Sequence, residues 1–414
     1  MQRLPKLLAV FLALQALWLS GLPSLADGAE SAKAAEPALG SENSGYSELE
    51  ERMLSRSLDP KAEREPRPQG KRIQSIQVVR QPVFDEDDPV PDFVNVLHTQ
   101  TREHVIRREL LFEAGESYDL ERVQETLRNL QLIPQLGVVV IVALRGSDPD
   151  SVRVVVIVRD VWSLRLNYAL EGNLNASAAL AVVAGRITSP GGSGTSSSIN
   201  YFLLNLSEDN LFGLHARLGA LFILEPDRYS VGALTAYPRV LKTAMDAYGL
   251  GGVIFNRDSG KTEGSFGTLS LRQDLKSFAQ EWGFLVGSSW RIEQTRLYED
   301  LEPQRTSSGI PIQYAASLVR GGGEVTRSFG RRLKTDLTWG LELNQRKFKA
   351  ERAPDTPAES FAELVAEMPV SDTRLSPFFQ IRHNTSRFLA TRDVETLALQ
   401  ESFSLGHWTA LRLY

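Results

Sequence analysis

The stretch Leu333-Lys-Thr-Asp-Leu-Thr-Trp-Gly-Leu-Glu-Leu-Asn-Gln345 decides the fold class, because its polarity alternates from residue to residue. The odd positions carry Leu333, Thr335, Leu337, Trp339, Leu341 and Leu343, and the even positions carry Lys334, Asp336, Thr338, Gly340, Glu342 and Asn344. Successive side chains of a β-strand point to opposite faces of its sheet. The stretch therefore predicts a strand with one apolar and one polar face, which can lie between lipid and a wet interior.

Segments of the same kind recur through residues 161–414, separated by turns rich in Gly, Asn, Asp and Pro. They are Ser163–Glu171, Ile199–Leu206, Leu214–Leu224, Tyr229–Tyr237, Ala244–Phe255, Ser265–Leu271, Gly283–Arg291, Tyr314–Val325, Leu333–Gln345, Leu375–Ile381 and Val394–Phe403. Their lengths suit strands that cross a bilayer on a tilt. We predict an antiparallel transmembrane β-barrel over 161–414, with about ten strands visible.

A soluble β-sandwich is the alternative, since its strands alternate with the same period. The segments are longer than the usual strand of about five or six residues, which favours the barrel. Tryptophans are expected near the two membrane interfaces, at Trp162, Trp282, Trp290, Trp339 and Trp408.

Residues 72–160 have a different texture, with short β-branched runs and two stretches of helical periodicity. The elements expected are a strand around Ile73, Ile76 and Val78-Val79, a helix over Thr101–Leu111, a helix capped by Asp119 with Leu120, Val123, Leu127 and Leu130 on one side, and strands over Leu136–Leu144 and Val152–Val158. The order β-α-α-β-β predicts a compact α+β unit with both helices on one face of a three-stranded sheet.

The N-terminus has the features of a secretion signal. Arg3 and Lys6 precede the apolar run Leu7–Leu22, and Ser24-Leu25-Ala26 supplies small residues, so we predict a signal peptide over 1–26. A membrane anchor is the alternative, but the apolar run is short for a span. Residues 27–70 are rich in Ala, Ser, Glu and Pro, and this composition predicts a disordered linker.

Composition and motifs give no indication of an enzyme. The chain has 414 residues, a net charge of -5, no cysteine and five histidines. The charge gives no reason to expect a nucleic-acid partner, and the lack of cysteine excludes thiolate metal sites. His98, His104, His215, His383 and His407 do not share metal-ligand spacing, so we expect them at the surface or in the barrel interior. Gly260-Lys-Thr262 ends like a phosphate loop but has Phe255 where such a loop needs glycine. No catalytic residue, cofactor or metal is expected.

Five stretches carry a family resemblance: Glu113–Asp119, Thr126–Leu130, Val154–Ser163, Glu208–Gly213 and Ala236–Arg239. Residues 72–164 resemble a POTRA domain, and the remainder resembles the bacterial surface antigen barrel. Together these are the parts of the outer-membrane assembly factors BamA and TamA and of the transporters of two-partner secretion.

The chain departs from that family in two ways. The family barrel has more strands than the segments found here, which suggests that the chain lacks the final strands; a smaller closed barrel ending at Tyr414 is the alternative. Val319-Arg-Gly-Gly322 is similar to a family loop motif, but it lacks the aromatic residue and lies within one long strand. We interpret that match as coincidence.

The resemblance implies a bacterial outer-membrane protein, with the POTRA domain in the periplasm, that inserts or folds β-barrel proteins by templating on a strand edge. Unpaired backbone groups in lipid cost several kcal/mol each, so an open edge is a strong template. The implied partners are unfolded outer-membrane protein clients, membrane lipid, and periplasmic or lipoprotein accessory subunits as in the BAM complex. The alternative is a polypeptide transport pore of the two-partner-secretion type, and a third possibility is a partial family member without activity.

A candidate client-binding strand lies at Leu136–Leu144, and in the POTRA family the matching strand lies at the sheet edge. Exposed edges usually carry Lys, Pro or a bulge, but this stretch has neither charge nor proline. The candidate residues are Leu136, Val138, Val139, Val140, Ile141 and Val142. Either the edge stays open for an added client strand, or the strand is covered by the helices or the barrel rim.

Overall fold

The computed structural model describes residues 46–84, 98–173, 198–240, 243–277, 279–299, 302–330, 333–352, 356–385, 387–392 and 400–414. The signal peptide, the linker up to residue 45 and the acidic loop 85–91 lie outside this range.

The N-terminal part of the described chain is an α+β unit. Its elements are α1 (Glu48–Ser57), β1 (Arg72–Gln81), α2 (Glu103–Arg107), α3 (Leu120–Gln131), β2 (Leu136–Arg145) and β3 (Ser151–Asp160). The sheet order is β1-β3-β2. β1 runs parallel to β3, and β2 runs antiparallel to it. From β1 onward the expected order β-α-α-β-β is observed, although α2 is shorter than expected.

Helix α1 corrects the linker prediction, which is wrong for residues 46–70. The helix begins with a capping box between Ser47 and Glu50, and Met53 and Leu54 are buried against the side of the sheet that carries Val140. Its other positions are mostly charged, so the helix has only two buried apolar residues, and its composition resembles that of a disordered segment. The sheet is thus covered on both faces, which explains why β2 and β3 are almost continuously apolar.

Helix α3 covers the opposite face of the small sheet. Its buried residues are Val123, Thr126 and Leu130, whereas Leu127 is partly buried and Leu120 is about half exposed. The buried side of the helix is therefore shifted from the predicted apolar stripe. Thr126 can be buried there because its hydroxyl donates to the Arg122 carbonyl within the helix and accepts from the Leu111 N–H.

The C-terminal part of the described chain forms one sheet of eleven strands in which every neighbouring pair is antiparallel. Its strands are β4 (Leu164–Asn173), β5 (Ser198–Leu211), β6 (Ala216–Leu224), β7 (Arg228–Tyr237), β8 (Asp246–Asn256), β9 (Thr262–Gln273), β10 (Trp282–Arg296), β13 (Gln313–Phe329), β14 (Leu333–Lys349), β15 (Asp372–Thr385) and β18 (Trp408–Leu413). The order is β18-β15-β14-β13-β10-β9-β8-β7-β6-β5-β4.

Ten of the eleven expected segments correspond to strands of this sheet, and the last does not. The described end of Val394–Phe403 belongs to β17 (Gln400–Leu405), which pairs with β16 (Arg387–Arg392) in a separate hairpin. The eleventh strand of the sheet is β18 instead. Within the described residues, β4 and β18 each pair on one side only, so the sheet is not closed. Val319–Gly322 lies inside β13, as expected.

The large sheet has one apolar and one polar face. In β14 the odd-numbered Trp339 and Leu341 are 48% and 45% exposed, while Lys334, Asp336 and Thr338 on the other face are buried. The Trp339 ring lies beside the Phe379 ring of β15, with 5.6 Å between their centroids and the rings tilted by 48°. The predicted alternation is confirmed. No helix in the described ranges is long and apolar enough to cross a membrane.

The two ends of the large sheet differ. At the end next to the α+β unit, which we call the junction end, the β5–β6 connection is only residues 212–215. The opposite, distal end carries the two-residue strands β11 (Tyr298–Glu299) and β12 (Glu302–Pro303) and helix α4 (Ala358–Glu367). Leu364 of α4 packs with Tyr314 and Ala316 on the polar face of β13.

Candidate functional site: the β2 edge and the cleft beneath it

β2 is an edge strand, because it pairs with β3 on one side only. Its outer edge is partly covered: the Arg145 N–H donates to the Glu63 carbonyl and the Glu65 N–H donates to the Ala143 carbonyl, both at 2.9 Å. The Tyr46 hydroxyl donates to the Ile141 carbonyl at 3.3 Å. Backbone groups alternate sides along a strand, so the odd residues of β2 are those that face outward. Between Val139 and Ile141 no strand of the described chain pairs with this edge.

The six candidate residues share this strand but not one environment. Leu136, Val138 and Val139 border a cleft between the α+β unit and the large sheet. Val140 and Val142 face α1, and Ile141 packs on the α3 side. The lack of charge in β2 is accounted for by burial on both faces of the strand. The open edge is confined to the middle of the strand, at Val139–Ile141.

The cleft has a volume of about 1470 Å³ and is lined by the end of α3, the start of β2 and the junction end of the large sheet. Apolar side chains are exposed in it: Leu132 is 80% exposed and Trp408 is 66% exposed. On the far side, the Arg128 guanidinium of α3 lies over the Phe388 ring of β16, 4.4 Å from its centroid. The α+β unit therefore contacts the large sheet on one side of the cleft and the β16–β17 hairpin on the other.

The β5–β6 turn is the first docking point. Gly213 has φ +70°, and its carbonyl accepts from the Arg102 N–H at 2.9 Å. A Cβ at Gly213 would lie 2.4 Å from the Gln100 carbonyl oxygen, so only glycine allows the two backbones to approach this closely. Beside it, the Asn210 amide donates to the Thr99 carbonyl at 3.0 Å and to the Thr101 hydroxyl at 3.1 Å.

Asp209 is the charged centre of this interface and is 1% exposed. Its carboxylate forms an ion pair with Arg165 at 2.9 Å and accepts a hydrogen bond from Arg217 at 2.7 Å. The Gln135 side chain, just before β2, donates to the Asp209 carbonyl at 2.9 Å. The start of the candidate strand is thereby tied directly to the first strands of the large sheet.

The β7–β8 turn is the second docking point. Arg239 donates to both carboxylate oxygens of Glu109, which follows α2, at 3.0 and 2.6 Å. Arg239 has φ +57°, and its N–H donates to the Asp246 carboxylate at 2.9 Å. Burial alone would raise the pKa of Glu109, but the hydrogen bond and charge of Arg239 outweigh it and lower that pKa.

His98 and His215 are buried between the α+β unit and the large sheet. The expectation that they lie at the surface or in the barrel interior is therefore wrong. His98 lies 3.2 Å from both Asp160 and Ser163, and His215 lies 3.0 Å from the Thr101 hydroxyl. Burial lowers the pKa of His215 to about 4. Ser163 is 2% exposed, so this serine, histidine and aspartate are not open to a substrate. The described residues hold no cluster suited to a metal ion.

Sequence reasoning missed the docking interface, although two of the stretches that carried the resemblance contain it. Glu208–Gly213 and Ala236–Arg239 lie at the β5–β6 and β7–β8 hairpin connections of the large sheet. Their polar side chains, however, bind the α+β unit. A tight turn does not need the Asp, Asn and Arg side chains found in these two stretches, and this excess of polar residues was the available signal of a contact surface.

This geometry defines a class of protein in which polar contacts hold an α+β unit at the junction end of an unclosed antiparallel sheet. That sheet has one apolar and one polar face. No family model and no curated protein matches the sequence. Among solved structures, BamA from Haemophilus ducreyi lacking POTRA domains 1–3 is similar over 83% of this chain and 85% of that chain, with 9% identity and a TM-score of 0.36. CdiB from Acinetobacter baumannii is similar over 81% of this chain but only 58% of its own length, with 10% identity and a TM-score of 0.34. At this level of similarity neither structure says what this chain does.

Proposed function

We propose that this protein is a bacterial outer-membrane assembly factor that captures unfolded β-barrel clients in the periplasm and guides their strands to the membrane. The observation that carries the proposal is the open edge of β2 at Val139–Ile141, at the border of a cleft that leads to the large sheet. An extended client adds a strand to such an edge through main-chain hydrogen bonds, and no cofactor is needed.

The faces of the large sheet support the membrane location. The apolar face exposes large side chains on successive strands, among them Leu218, Val231, Leu269 and Leu341. Contiguous apolar surface of this extent is a liability in water and the normal exterior of a membrane barrel. The outer edges of β4 and β18 have no partner in the described chain. In lipid such edges would favour pairing with a client hairpin, which is the templating step.

Polypeptide transport along the polar face is the second candidate role. Helix α4 packs on that face of β13 at the distal end, through Leu364 against Tyr314 and Ala316. A chain crossing along the polar face would meet this helix, so the described residues favour capture over transport.

The test is proline substitution in β2, read by photo-cross-linking. The probe is a peptide with the sequence of residues 333–343, carrying a photoreactive residue at the position of Trp339. Val139 has its N–H on the outer edge, so Val139→Pro should leave the full chain folded in detergent and abolish cross-linking to the α+β unit. Val139→Ala is the packing control, because it loses side-chain volume but keeps the N–H.

Val140→Pro is the matched variant on the inner side. The Val140 N–H points toward β3, so this proline removes a ladder hydrogen bond and should destabilise the α+β unit. Cross-linking of Val139→Pro at the parental level would refute capture at this edge. Ion conductance of the parent in planar bilayers, without cross-linking, would favour transport instead.

A further inference from the structure

The part of the β2 edge that is not open is occupied by the chain itself. Residues 63–65, which we call the guard segment, form an antiparallel bridge in which Arg64 lies opposite Leu144. Two backbone hydrogen bonds of 2.9 Å join the guard segment to Ala143 and Arg145. It is a short strand added to the edge at which a client would add.

The guard segment is held by its backbone and by three ion pairs, two of them exposed. Arg64 binds Glu51 of α1 at 2.6 Å, with side chains 46% and 45% exposed. Glu63 binds Arg145, with side chains 66% and 58% exposed. The third joins Glu65 to Lys71 at 2.8 Å, with side chains 9% and 23% exposed. None of its three side chains belongs to the apolar core that holds α1 on the sheet. Exposed ion pairs contribute little stability and weaken with salt, so the guard segment can leave the edge while α1 stays in place.

Edge length makes the guard segment relevant to capture. The open stretch, Val139–Ile141, is shorter than a typical strand, which has about five or six residues. With the guard segment and the Tyr46 hydroxyl both displaced, the free edge runs from Val139 to Arg145, which is long enough for a full strand.

We propose that the guard segment is a displaceable occupant of the client edge, and that an incoming strand replaces it, antiparallel to β2 and opposite Val139–Arg145. The resident strand defines the partner's chemistry: an extended segment that places an acidic side chain against Arg145, where Glu63 now stands. This inference rests on the proposed function, because it assumes that clients bind this edge.

Charge reversal tests the displacement. Glu63→Lys together with Arg64→Glu replaces both exposed attractions with repulsions in the full-length chain. From the usual strength of two exposed pairs, amide exchange at Glu65 and Arg145 should accelerate by between about twofold and about thirtyfold. Cross-linking to the 333–343 peptide should rise in parallel. Arg122→Glu is the matched control, because it disrupts an equally exposed pair with Glu116 (43% and 41% exposed) away from β2.

A reversible lock tests the same point from the other side. The chain has no cysteine, so Glu63→Cys with Arg145→Cys introduces one disulfide across directly opposed positions. Oxidation should lower peptide cross-linking several-fold, and reduction should restore it.

The outcomes separate this inference from the proposed function. If the parent cross-links the peptide but neither charge reversal nor the disulfide changes the yield, the guard inference is wrong and capture stands. If neither the parent nor the charge-reversed variant cross-links, both fall. If only the charge-reversed variant cross-links, both are supported.

Discussion

Glu109→Gln should loosen the α+β unit from the large sheet. The Glu109 and Arg239 side chains are 11% and 19% exposed and are joined by two hydrogen bonds. Breaking a fully buried pair costs about 3–5 kcal/mol, and an exposed pair contributes about 0.2–1 kcal/mol. This pair lies between those limits, so we expect a loss of about 2 kcal/mol.

The assay is urea unfolding of the full-length chain in detergent, followed by amide exchange of peptides from β3. With a typical urea dependence, a loss of about 2 kcal/mol lowers the midpoint by roughly 1 M. Glu103→Gln is the matched control: Glu103 pairs with Arg107 on α2 at 2.7 Å, with side chains 45% and 43% exposed. That control should change stability by less than about 0.5 kcal/mol.

The same variant has a pH signature. The pKa of Glu109 is lowered below its ordinary value of 4.5 in the folded protein. A carboxyl with a lowered folded pKa contributes stability that is complete above its unfolded pKa and is lost as pH falls through the folded pKa. Below pH 4.5 the parent should therefore lose docking stability that Glu109→Gln never had. A midpoint shift no larger than that of Glu103→Gln would refute a docking role for this pair.

Three further results are expected. Gly213→Ala should release the β5–β6 turn from the α+β unit, measured as faster amide exchange around Arg102, because its Cβ would meet backbone at 2.4 Å. Gly260→Ala, with φ +67° and nothing within 4 Å, should show only the strain of its backbone. Leu341→Lys should hinder insertion into lipid vesicles by about 2–4 kcal/mol, whereas Asn344→Lys on the polar face should insert like the parent. Because the folded pKa of His215 is about 4 against 6.5, the interface should weaken as pH falls from 6.5 to 4, by up to about 3 kcal/mol, and His215→Gln should remove that slope in urea titrations.

The sequence predicted the elements whose periodicity is local. Alternation in Leu333–Gln345 was enough to assign both faces of β14, since each side chain reports its own surroundings. The order of the α+β unit followed from β-branched runs and from the Asp119 cap, which accepts from the Glu121 N–H. Ends were less certain, and β18 was missed because six residues carry too few alternations to stand out.

What sequence patterns could not supply were contacts between distant segments. The edge of β2 and the two docking turns depend on pairings separated by many residues, such as Asn210 with Thr101. Helix α1 has two buried apolar residues, Met53 and Leu54, and its sequence looked disordered because the surface against which they pack lies far along the chain. No composition window contains that partner.

Helix α1 also sets where this protein can be divided. A fragment starting at Arg72 would follow the apparent domain boundary, yet it would uncover Val140, Val142, Val155 and Ile157, which α1 now shields. Such a fragment would expose an apolar surface and tend to self-associate, even if it folded correctly. The smallest piece suited to expression begins before Tyr46, whose hydroxyl reaches Ile141. The same reasoning applies to protease digestion: a cut between residues 58 and 70 should not release a domain that is soluble by itself.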